Sequence, residues 1–152
     1  MPYFPVFIDL SAKKILVVGA GRIAARRVKT LTDFAPDITV AAPSVCEELR
    51  RLEAEGRIRI LERGFEEQDL DGAEMVLTAA DDPELNEKIY RLCRERHIPV
   101  NNAGDQKMCD FFFPGIARKD QIVIGVTAGG TDHRKAREVT EAVRGMLDRL
   151  EE

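Results

Sequence analysis

KKILVVGAGRIAARRV, residues 13–28, is the stretch that decides the fold. Its first half is a continuous aliphatic run ending in glycine, the pattern of a strand buried on both faces of a parallel sheet. Its second half turns helical, with Ala24, Val28, Leu31 and Ala35 recurring at spacings of three and four. Between them GAGRIA, Gly19 to Ala24, fits G-x-G-x-x-A. In a strand–turn–helix corner each small residue has a purpose: Gly19 permits the tight turn, Gly21 lets backbone approach a pyrophosphate, and Ala24 lets helix and strand pack closely. The unpaired N–H groups of the first helical turn then present partial positive charge to phosphate oxygens. The motif predicts a dinucleotide site. The plainer reading of the same residues is a turn that only closes a βα corner.

Outward from this corner, short β-rich runs alternate with helical patterns. DITVAAP (37–43) reads as a second strand stopped by proline, RIRIL (57–61) as a third, MVLTA (75–79) as a fourth and IPVNN (98–102) as a fifth. Ser44 and Glu47 form a capping-box pattern ahead of Val45, Leu49 and Leu52. Asp82 and Pro83 read as N-cap and first helical residue before Leu85, Ile89 and Leu92. The alternation predicts an α/β fold, a Rossmann-type doubly wound parallel sheet over residues 1–112.

Beyond about Phe111 the rhythm changes. FFFPGIARKDQIVIGVTAGG predicts an antiparallel pair separated by Lys119 and Asp120, with Phe111, Phe112 and Phe113 alternating faces of the first strand. A helix follows, with Ala136, Val139, Val143, Met146 and Leu150 in one stripe. Residues 113–152 thus form a small β-hairpin and helix region. The stripe's near-heptad period favours pairing with a second copy, a homodimer, over packing on the parent sheet.

Composition narrows the class. The 152 residues carry 23 Lys plus Arg against 27 Asp plus Glu, so net charge −4 offers no global attraction for nucleic acid or an anionic membrane. The longest run without a charged residue, 121–131, is far too short for a bilayer span. The opening MPYFPVFIDLSAKK has no basic segment ahead of an apolar core, so no secretory leader is expected. Cys46, Cys93 and Cys109 are odd in number and widely spaced, which suits reduced thiols in the cytoplasm. With His97 and His133 they match no zinc spacing, so no dedicated metal site is expected.

A ribose-binding acid should stand near the end of the second strand. That place holds VAAPS, residues 40–44, and the first acid is Glu47. Ser44 could meet a ribose hydroxyl or simply cap its helix. Spacing alone does not separate NAD from NADP, although no arginine stands there for a 2′-phosphate.

Three segments together carry a family resemblance: YFPVFIDLSAKKILVVGAGRIAARR, TAADDPELN and FFFPGIARKDQIVIGVTAGGT. They resemble the precorrin-2 dehydrogenase module of siroheme synthases, over nearly the whole chain. The resemblance implies NAD-dependent oxidation of precorrin-2, a tetrapyrrole, to sirohydrochlorin; some members also insert ferrous iron. It implies a Rossmann domain followed by a dimerisation region. The family's extra helical domain is expected to be absent from this chain. By position, Arg22, Ile23, Pro43 and Ser44 join Gly19 and Gly21 at the cofactor, and Thr78 and Ala79 face its nicotinamide end.

The family's catalytic aspartate falls on Gly104 in an ungapped match, and its neighbour Asp105 is the expected catalytic acid. The family's serine before the paired glycines is Ala128 here, so no modification of that serine can occur. A substrate rich in carboxylates needs a basic pocket. Arg118, Arg134 and Lys135, with Lys119 and Arg137 nearby and the backbone of Gly129, Gly130 and Thr131, are the candidates. The same charges equally describe a solvated helix face. If iron is handled, the macrocycle nitrogens would be its ligands. Two other functions compete. A nucleotide-sensing domain like those gating potassium transport shares the glycine turn, but usually ends its second strand with an acid and lacks the FFFPG…TAGGT half. A chelatase-only member would keep a vestigial dinucleotide site.

Overall fold

A computed structural model describes residues 3–150, which form two compact units. The larger, Val6–Phe111, holds β1 (Lys14–Val18), α1 (Arg22–Leu31), β2 (Asp37–Ala41), α2 (Glu47–Ala54), β3 (Arg59–Leu61), β4 (Met75–Thr78), α3 (Pro83–Glu95) and β5 (Val100–Asn102). All five strands are parallel, in the order β3-β2-β1-β4-β5. The chain steps outward from β1 to β3 and then returns to β4 on β1's other side. The resulting switch point lies at the C-terminal ends of β1 and β4, where open α/β sheets bind ligands.

The expected core is present. Ile15, Leu16, Val17 and Val18 are at most 2% exposed, as a strand covered on both faces requires. Ala24, Val28, Leu31 and Ala35 are buried along α1 and its exit, and Ala25 joins them. On the other side, Leu16, Val18, Val76 and Val100 pack with Leu70, Ile89 and Cys93. The buried face of α3 is Asn86, Ile89 and Cys93, so Leu85 and Leu92 flank it instead of centring it. Burial pushes the Cys93 thiol up to about 12, so it behaves as a small apolar side chain.

Local details depart from the sequence expectations. The Ser44 capping box does not form: α2 starts at Glu47 with Cys46 as its N-cap and no side-chain cap. Ser44 lies too early, because residues through Cys46 are still outside the helix. Between β3 and β4 the crossover is a single 3-10 turn, Glu67–Leu70. Arg63 holds it with two bonds to Asp69, at 2.6 and 2.9 Å, and this pairing draws the Asp69 carboxyl below its ordinary value.

The smaller unit joins residues 3–5 to 112–150. It contains an antiparallel hairpin, β6 (Gly115–Lys119) and β7 (Ile122–Val126), and α4 (His133–Asp148). The turn is Asp120–Gln121, one residue later than expected, with Asp120 at φ 51°. Phe112 and Phe113 precede β6 in irregular chain and do not alternate across a strand; Pro114 delays pairing until Gly115. Phe112 meets Tyr3 edge to face, with centroids 4.4 Å apart. Helix α4 lies close on β6: a Cβ on Gly115 would come within 2.3 Å of the Thr140 hydroxyl. Thr140 and Leu147 are its buried residues, whereas Val139, Met146 and Leu150 are 42–50% exposed. The packed seam of α4 therefore runs through Thr140 and Leu147, neither of them in the predicted stripe, whose Ala136 and Val143 are half-buried and whose other three residues lie open.

Candidate functional site

The glycine corner is built by contact between two strand ends. Gly19 has φ +105°, and a Cβ there would stand 2.4 Å from the Ala79 carbonyl oxygen. Both facts exclude any side chain. Gly19 N–H also donates to Ala41 O at 2.9 Å, and Ala79 N–H donates to Val18 O at 2.7 Å. The ends of β1, β2 and β4 are thereby tied together at the switch point. Asn86, nearly buried on α3, clamps the next turn through two bonds with the Ala80 backbone, at 2.8 and 3.2 Å. Asn86 lies within TAADDPELN, but nothing in spacing marks it as a clamp.

Gly21 plays the complementary part. It is the N-cap of α1 with φ −82°, and a Cβ on it would meet nothing within 4 Å. No side chain caps α1, and its first turn carries no acid, so neither competes for the helix's free N–H groups. Arg22 and Ile23 are exposed beside Gly21. Pro43 and Ser44, also exposed, follow β2. Thr78 and Ala79 differ: Thr78 is fully buried, with no partner for its hydroxyl among the described residues, and Ala79 alone presents surface. A dinucleotide pyrophosphate fits this corner, because the space at Gly21 is open and the amides beyond it are uncommitted.

Asp105 follows β5, half-buried, and caps a 3-10 turn (Gln106–Met108) by accepting from Lys107 N–H at 2.8 Å. The loop it sits on is anchored at its start by Ala103 N–H donating to Thr78 O at 2.8 Å. At its far end Asp110 accepts from Val100 N–H and pairs with Arg94. Gly104 needs no special backbone, and a Cβ there would make an ordinary contact with Asn102 at 3.4 Å.

In the smaller unit, Gly129 and Gly130 take φ values of 65° and 74°, and Thr131 closes the turn through Ala128 O. The helix start beyond them is not an open anion site. Asp132 caps α4 by accepting from Lys135 N–H at 2.8 Å, which brings a carboxylate to the place an anion would take. Arg134 is mostly exposed and faces Glu138 at 3.6 Å, while Lys119 is bonded to the Leu150 carbonyl. Arg118 is exposed on β6. No group of three His, Cys, Asp or Glu among the described residues could hold a metal ion, and no described helix is long and apolar enough to cross a membrane.

The parallel sheet, its switch point and the glycine corner define a dinucleotide-binding Rossmann module. Residues 6–115 match the family model described as "Putative NAD(P)-binding", and the chain belongs to that family. Among curated proteins it is 37% identical over 147 residues to a siroheme synthase of Thioalkalivibrio sulfidiphilus, covering 97% of this chain and 30% of that one. It is 42% identical over 142 residues to a "Probable multifunctional siroheme biosynthesis protein HemA" of Ruminiclostridium josui, covering 93% of this chain and 28% of the relative. The chain thus spans less than a third of the length of these relatives. Among solved structures, one titled "SirC, precorrin-2 dehydrogenase" shares the fold, with a TM-score of 0.78 at 24% identity over 96% of this chain and 74% of that one.

The two glycines should separate by experiment. Gly19→Ala is expected to destabilise the fold by more than about 1–3 kcal/mol, because strain and clash coincide. Gly21→Ser should leave stability unchanged or raise it by up to about 1 kcal/mol, since serine is a good N-cap. Its side chain would take the amides and space a phosphate needs, so NAD affinity should fall at least tenfold, roughly 1.4 kcal/mol. Thermal melts and calorimetry check both; full NAD affinity in Gly21→Ser would remove the pyrophosphate from this corner.

Proposed function

We propose that the chain is an NAD-dependent dehydrogenase converting precorrin-2 to sirohydrochlorin on the route to siroheme. The observation that carries this reading is the open, uncapped amide corner at Gly21, backed by Gly19 against Ala79. The names of the relatives, siroheme synthases and a precorrin-2 dehydrogenase, supply the substrate class. Gly19, Gly21, Arg22 and Ile23 would hold the pyrophosphate, Pro43 and Ser44 the ribose beyond it, and Ala79 with the Thr78 backbone would border the nicotinamide. Neither Pro43 nor Ser44 offers a positive charge to a 2′-phosphate, which favours NAD over NADP. When bound, NAD supplies a hydride acceptor.

The chain's own groups manage protons and charge. The oxidation removes one hydride and one proton from the macrocycle, and the Asp105 carboxylate is the proposed acceptor of that proton. Arg118, Arg134, Lys135 and the backbone of Gly129, Gly130 and Thr131 are proposed to meet the substrate's carboxylates, with Asp132 as the charge they must outweigh. Ferrous iron is proposed as a second substrate, inserted into sirohydrochlorin with the macrocycle nitrogens as ligands. The open seam of Val139 and Met146 on α4, with Leu150 just beyond its end, supports a homodimer, since three neighbouring large apolar side chains left exposed favour a covering partner.

Precorrin-2 and NAD should yield NADH, read at its absorbance band. Asp105→Asn should lower kcat by roughly 10²–10⁴ with NAD affinity retained. A silent wild-type chain contradicts the dehydrogenase reading, and unchanged turnover in the variant contradicts the role of Asp105. Ferrous iron with sirohydrochlorin and no nucleotide tests chelation separately. Sedimentation should give a dimer that Met146→Glu converts to monomer; a wild-type monomer at micromolar concentration contradicts the pairing.

A further inference from the structure

Arg27 is the sixth residue of α1, on the helix that opens at Gly21. It is half-buried, and withdrawal from water pulls its guanidinium below its ordinary value. Its Nη1 donates to Asn101 Oδ1 at 2.6 Å. Asn101 lies on β5, 2% exposed, and its Nδ2 donates to Phe111 O at 2.7 Å and reaches Cys109 Sγ at 3.5 Å. The backbones of Asn101 and Cys109 also pair as an isolated antiparallel bridge. Cys109 Sγ is 3.2 Å from Asn102 O and 3.4 Å from Asp105 O. Residues 101–111 therefore fold back on themselves, with Asp105 in the loop they enclose.

The chemistry at Asn101 has one sense. A guanidinium only donates and a backbone carbonyl only accepts, so the carboxamide must turn its oxygen to Arg27 and its nitrogen to Phe111. Without the Arg27 donor the buried amide loses the partner that sets this sense, and the tether to Phe111 loses its alignment. We propose that Arg27 is a positioning residue that, through Asn101, couples the dinucleotide-binding helix to the loop carrying Asp105. The catalytic consequence rests on the role proposed for Asp105; the mechanical coupling does not.

The test uses the whole chain with Arg27→Met, which keeps much of the apolar stem, Arg27→Lys, which keeps a donor, and Asn101→Asp, which keeps an acceptor for Arg27 but turns an oxygen on the Phe111 carbonyl. In Arg27→Met, NAD affinity should stay within about twofold while kcat falls roughly tenfold or more, as expected when a reacting group is misplaced. Arg27→Lys should recover most of the loss. Because Arg27 acts through Asp105, adding Arg27→Met to Asp105→Asn should cost little further. Amide exchange at Ala103, Met108 and Asp110 should quicken in Arg27→Met and Asn101→Asp, with β1 unchanged. Additive kinetic losses, parallel loss of NAD binding, or unchanged exchange in the loop would each overturn the coupling. A wild-type chain without turnover would remove the dehydrogenase reading, and exchange alone would then decide the coupling. If Arg27→Met fails to fold, Arg27→Lys and Asn101→Asp carry the same measurements.

Discussion

The close approach of the Gly19 backbone to the Ala79 carbonyl is the constraint on which the rest of the structure depends. Nothing larger than hydrogen fits between the turn after β1 and the end of β4. That contact brings together the two strands between which the chain reverses its direction of travel across the sheet. It leaves Gly21, two residues on, as a helix start with open space before it. Structural and ligand-facing glycines are therefore different residues of one motif, and their conformations say which is which.

Around that contact the loops at the C-terminal edge are tied in series. The end of β1 bonds to the ends of β2 and β4, the end of β4 bonds to the residue after β5, and β5 is joined to α1 by Arg27 and Asn101. A net charge of −4 does not prevent an anion site in such a place. The local field follows from which groups stand at each helix start. Helix α1 begins without an acid, whereas α3 and α4 are capped by Asp82 and Asp132. Only the first of these three starts leaves its dipole uncompensated by a cap.

Strands β1 and β4 and the glycine corner were legible because burial on both faces demands an unbroken apolar run, and the turn demands glycine. Asp82 and Pro83 read correctly for a similar reason, since their chemistry is local. Where tertiary contacts decide, the pattern misled. Ser44 sits at capping spacing from Glu47, but it lies in a bend, the chain stays outside the helix through Cys46 and the helix starts later. The three phenylalanines look like strand until Pro114 postpones the ladder. The α4 stripe was visible as a stripe, yet Thr140, absent from it, carries the closest approach to β6. Arg27 and Asn101 left no trace in spacing, since their pairing spans 74 positions and exists only after the sheet is assembled.

The central claim is that a dinucleotide's phosphates rest on the amides that open α1. An NMR titration of the labelled chain with NAD tests it most directly, following each backbone amide to saturation. The account predicts shifts largest at residues 19–24, with smaller ones at 42–44 and 79–80. Saturating NAD that leaves the amides of Gly21, Arg22 and Ile23 unmoved would contradict it.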